Sequence, residues 1–108
     1  MSDHYILKGR AIEKVDLMTW AKWVEAQPDA KIVKQEYVAD FWVSTVFLGL
    51  DHRFGPGSPV LFETLVFKRE PSGKIDFNEV HGERCGTYEE AEEMHSRACE
   101  YVRTNLVN

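Results

Sequence analysis

Hydrophobic positions are densest between Phe41 and Phe67, F-W-V-S-T-V-F-L-G-L-D-H-R-F-G-P-G-S-P-V-L-F-E-T-L-V-F. Two β-branched and aromatic runs flank a loop, His52 to Pro59, that two glycines and two prolines keep irregular. This pattern predicts a central antiparallel hairpin. Both arms are apolar at nearly every residue, so at least one face should be covered by helix. Upstream, Tyr5 to Ile12 reads as a short strand interrupted at Gly9, a bulge or a tight turn. Asp16 is a helix N-cap, and Leu17, Trp20, Ala21 and Val24 form one helical stripe that Pro28 ends. Trp23 falls beside that stripe, at the flank of the core. Lys31 to Ala39 alternates as a strand with one wetter face, and Ala39-Asp40 makes a tight turn into the hairpin. After the turn at Pro71 and Gly73, Ile75 to Val80 alternates as a further edge strand, and His81 to Gly86 reads as loop. Thr87-Tyr88-Glu89-Glu90 is a capping box. It opens a helix to about Asn105 whose stripe is Ala91, Met94, Ala98, Tyr101, Val102 and Leu106. The order β-α-β-β-β-(β)-α predicts one α+β domain over residues 1–108: an antiparallel meander of three to five strands with two helices on one face.

Composition narrows the function classes. The 108 residues suffice for one core. Net charge is −5, from 13 basic and 18 acidic residues, with no cluster of Lys or Arg. That argues against direct nucleic-acid binding and fits a soluble chain or one with a basic partner. No apolar run has the length a membrane span needs. The polar start, Met1-Ser2-Asp3-His4, predicts no signal peptide and a cytoplasmic location. Two cysteines, Cys85 and Cys99, suit a reducing compartment and match no common zinc spacing.

The candidate chemistry lies around the hairpin tip. His95 falls on the apolar stripe of the last helix and so faces the sheet. It is either a satisfied core histidine or the partner of a carboxylate on the sheet. Glu63 interrupts an apolar strand, facing solvent or paired inside. Asp51 and His52 end the first arm. Were Gly49 to pair with Glu63, Asp51 would share the face of Glu63 and His52 would not. Asp51, His52, Glu63 and His95 are the residue types that ligate a divalent metal or perform acid–base work. The same residues would equally make a structural polar network. Arg53 and Phe54, a cation and an aromatic on the proline-stiffened tip, suit a partner-binding loop.

Three stretches carry a resemblance: Val43 to Gly55 with D-H-R-F-G, Pro59 to Phe67 with L-F-E-T, and Thr87 to His95. Together with L-M-T-W-A-K-W at Leu17 to Trp23, they resemble a family of small proteins of phages, prophages and actinobacterial mobile elements. Lys68 to Glu83 is longer than is usual in that family. The resemblance implies an accessory protein in a bacterial host cytoplasm, with Asp51, His52, Glu63 and His95 at motif positions. Three functions are then expected in turn. The first is a module that binds a host protein, such as a component of a defence system. The second is a small metal-dependent or acid–base enzyme. The third is a protein that sequesters a nucleotide, which would need a pocket with Arg or Lys near the phosphates.

Overall fold

A computed structural model describes residues 3–53 and 55–107. The chain forms β1 (His4–Lys8), β2 (Ala11–Val15), α1 (Leu17–Ala26), a 3-10 turn (Pro28–Lys31), β3 (Ile32–Val38) and β4 (Phe41–Phe47). It continues through β5 (Phe62–Arg69), β6 (Ile75–Cys85), α2 (Tyr88–Tyr101) and a π-helical turn (Val102–Leu106). This is the α+β architecture read from the pattern, with both sheets antiparallel. β3, β4, β5 and β6 make a four-stranded meander in chain order, and β1 and β2 make a separate hairpin.

The segment Tyr5 to Ile12 is therefore two strands rather than one interrupted strand. Gly9, at φ +63°, supplies the left-handed residue on which the chain reverses. The hairpin is tied to the chain beyond β4 by the Tyr5 N–H, which donates to the Gly49 carbonyl at 2.8 Å. Its turn docks on the last helix: Arg10 pairs with Glu92 and lies 4.5 Å over the Tyr88 ring.

α2 covers one face of the meander. On β4 and β5 alternate residues point at it: Phe41, Val43, Thr45 and Phe47, then Phe62, Thr64 and Val66, all buried. Ala91, Met94, His95, Ala98 and Cys99 complete the contact from the helix. Thr87 and Glu90 form the capping box expected of its start. Helical structure runs on past Tyr101 only as the π turn.

α1 differs from its expected stripe. Leu17 is 57% exposed, whereas Trp23 is buried and meets Phe47 edge-on with ring centroids 5.9 Å apart. The helix is short and sits beside β1, so its buried side is the Trp20, Trp23 and Val24 face. β6 also departs from expectation, continuing through His81 to Cys85 instead of breaking into loop. Pairing of Phe62 with Cys85 and of Val66 with His81 outweighs the weak strand preference of Gly82.

Candidate functional site

Where β4 and β5 pair, Thr45 lies opposite Thr64 in the phase that faces α2. Both are completely buried, so their hydroxyls need partners inside the core. The hydroxyls bond each other, and Thr45 Oγ1 lies 2.7 Å from Nδ1 of His95. The far nitrogen of the ring, Nε2, lies 2.8 Å from Glu36 Oε2 on β3. Glu36 also sits 3.3 Å from the Lys34 ammonium. The bond to His95 holds the Glu36 carboxyl below its ordinary range, against the opposing pull of burial. With Nε2–H donating to Glu36, Nδ1 accepts from Thr45, and Thr45 accepts from Thr64. Every group in this line then has a partner.

His95 thus meets a carboxylate on the sheet, but that carboxylate is Glu36. Glu63 is in the opposite phase of β5, on the face away from α2, and receives a bond from Arg84 Nε at 2.7 Å. The register explains this: Glu63 pairs with Val46, and Gly49 lies beyond the ladder. Asp51 is spent on the neck of the loop. Its Oδ1 accepts the N–H groups of Arg53 at 2.9 Å and Val60 at 3.0 Å. The N–H of His52 donates to the Val60 carbonyl at 3.0 Å. Asp51, His52, Glu63 and His95 do not come together. Arg53 is not a free cation either, because its guanidinium pairs with Asp51 at 2.9 Å and reaches the Gly57 carbonyl. Phe54 lies outside the described residues.

Desolvation raises the Asp51 carboxyl, but the backbone donors of Arg53 and Val60 outweigh it, and the net position is lowered. A lowered native pKa adds stability that is complete above the unfolded value and is lost as pH falls through the native one. Asp51→Asn should therefore flatten the loss of stability below about pH 4. Urea melts at pH 3 and pH 7 check this, and an unchanged difference between the two would refute it.

The line Glu36–His95–Thr45 has the order of an acid, a base and a hydroxyl nucleophile. Thr45 is 0% exposed, so no substrate reaches its oxygen. Neither thiol is activated as a free nucleophile. Burial, then Glu90, pushes Cys85 up to about 11, and burial, then Glu36, pushes Cys99 upward. Beside His95 a cleft of about 130 Å³ is lined by Lys34, Glu36, Ser96, Cys99 and Arg103.

The opposite face of the meander is chemically different. Tyr37, Trp42, Phe67 and Phe77 come from β3, β4, β5 and β6 and form a row across the sheet. Tyr37 and Trp42 have centroids 4.8 Å apart, Trp42 and Phe67 are register partners, and Phe67 and Phe77 are 5.4 Å apart. The Arg69 guanidinium lies 4.3 Å over the Tyr37 ring. Tyr37 is 45% exposed and Phe77 75%. Three inter-strand steps give the row a length of about 14 Å. The row joins four strands, so it becomes visible only once their register is known. The available signal was phase: Trp42 and Phe67 alternate with the buried Phe41, Val43, Phe62 and Val66.

No protein-family model, curated protein or solved structure matches the chain.

Proposed function

We propose that the chain is a binding module whose working surface is the aromatic face of the meander, and that its occupant is a protein with a basic rim. One observation carries this reading: four aromatic side chains and an arginine share a sheet face to which the buried core contributes no residue. Aromatic residues and arginine supply most of the binding energy at protein interfaces, and rigid strands lose little entropy on docking. Net charge −5 supports a basic protein partner and opposes a phosphate backbone. The resemblance to phage and mobile-element proteins supports a bacterial host protein as the target, with inhibition of a host defence component as the specific role. Among the described residues no helix is long and apolar enough to cross a membrane.

Phe77→Ala tests this. The side chain is mostly exposed, so melting should move by less than about 3 °C. Affinity for the protein captured from host lysate should fall roughly 30-fold, about 2 kcal/mol. Unchanged affinity would refute the reading. So would a surface that instead binds single-stranded oligonucleotide at physiological salt, or one that only pairs copies of the chain.

A further inference from the structure

The Glu36 carboxylate, the His95 ring and the Cys99 thiol each turn one ligand atom toward the others, and those atoms all lie within 4.8 Å of one another. His95 and Cys99 are one helical turn apart on α2, and Glu36 faces them from β3. We propose that these three side chains form a binding site for a divalent metal of the zinc class. It stands on different residues from the aromatic sheet face, and neither proposal depends on the other.

Three features support the site. The donor set is one imidazole nitrogen, one thiolate sulfur and one carboxylate oxygen, a borderline-soft combination that suits zinc. A tetrahedral zinc ion needs ligand atoms about 3.5 Å apart, so the Glu36 oxygen, 2.8 Å from Nε2, must back away while any ligand atoms near the 4.8 Å limit must close by roughly 1.3 Å. Half-exposed Glu36 can make that movement, while His95 is held in place. Its hold is the second feature. A ligating histidine characteristically donates its other ring N–H to a fixed partner, which sets the tautomer. Here Nδ1 is fixed on Thr45 inside the core, and a hydroxyl accepts as readily as it donates. Turning the Thr45–Thr64 pair round places the proton on Nδ1 and leaves the Nε2 lone pair aimed toward Glu36. The third feature is access. The cleft beside the trio, bordered by Lys34, Ser96 and Arg103, is where a fourth ligand, water or a small anion, would enter.

The balance of the step is simple. Glu36 binds as carboxylate and His95 as neutral imidazole. The Cys99 S–H bond breaks, the metal–sulfur bond forms, and one proton leaves to solvent. The metal ion and the two anionic ligands sum to zero charge, so Lys34 and Arg103 remain as local cations.

Cobalt(II) added to reduced, chelator-treated full-length protein is the test. One equivalent should produce a near-ultraviolet thiolate-to-cobalt charge-transfer band that zinc displaces, and zinc should raise the melting temperature by several degrees. Cys99→Ala should abolish the band. Glu36→Gln, which preserves shape, should weaken cobalt binding by at least roughly tenfold. Cys85→Ala should leave the band unchanged. Melts in the presence of chelator establish that each variant is folded. A wild-type protein without the band, a band that survives Cys99→Ala, or one indifferent to Glu36→Gln would overturn the proposal.

Discussion

His95→Ala is expected to destabilise the fold by about 3 kcal/mol and to lower the melting temperature by roughly 15 °C. The side chain is 2% exposed and fills the space between α2 and the centre of the meander. Its loss opens a cavity, and it also removes a hydrogen-bond partner from each side. Thr45 loses its bond to Nδ1, and Glu36 loses the donor that stabilises its charge. The Thr45–Thr64 bond survives, and Glu36 is exposed enough to rehydrate, which keeps the loss below that of a fully stranded buried charge. A domain of this size has about 5–15 kcal/mol in total, so the variant should still fold at 25 °C. The polar line should matter less than its satisfaction. Replacing Thr45 and Thr64 by valine together with His95 by leucine removes all three polar partners within the core and should recover most of the loss. Denaturant melts of the single and triple variants decide this. A single variant with normal melting would mean that the His95 line contributes nothing to stability.

Gly49→Ala is expected to cost about 2 kcal/mol, through two separable effects. Gly49 holds φ +76°, where a side chain is strained in any surroundings. An added Cβ would also stand 2.7 Å from the indole nitrogen of Trp20 and 3.4 Å from the Tyr5 carbonyl oxygen. The indole packs edge-on against the His4 ring, with centroids 5.2 Å apart, so a shift that relieved the clash would disturb that contact. Gly55 provides the control. It has almost the same φ, +78°, and no atom beyond its chain neighbours among the described residues lies within 4 Å of its added Cβ. Gly55→Ala should cost only the backbone strain, about 1 kcal/mol. Equal losses at the two positions would show that the close approach of Trp20 to the chain beyond β4 has no energetic consequence.

Much of this fold is legible in the sequence because local rules and tertiary packing agree. The caps at Asp16 and Thr87, the turn at Ala39-Asp40 and the two arms of the central hairpin all form as their residues dictate. Legibility fails where a distant element decides. Gly82 reads as loop until β5 lies beside it, and Trp23 reads as flank until Phe47 meets it. The site is the harder case. His95 is recognisable from the helix stripe alone, because a polar residue among Ala91, Met94 and Ala98 must find a partner. Which partner it finds depends on strand register. The reading centred on Glu63 because that residue interrupts an apolar run. Glu36 was hidden inside a strand that alternates polar and apolar residues. The signal was nonetheless present: Glu36 shares phase with buried Val38, and Thr45 and Thr64 sit at inward positions. Two core threonines facing each other imply a third polar group above them. The same bookkeeping by phase, applied outward, would have found the row of Tyr37, Trp42, Phe67 and Phe77.

The most direct measurement is site-specific photocrosslinking in a bacterial host lysate. A benzoylphenylalanine is placed at position 77 on the aromatic face, at position 53 on the hairpin tip, or at position 89 on the solvent side of α2. Binding through the sheet face predicts one discrete protein adduct from position 77, and none from positions 53 and 89. Adducts from position 53 or 89 with none from position 77 would contradict it.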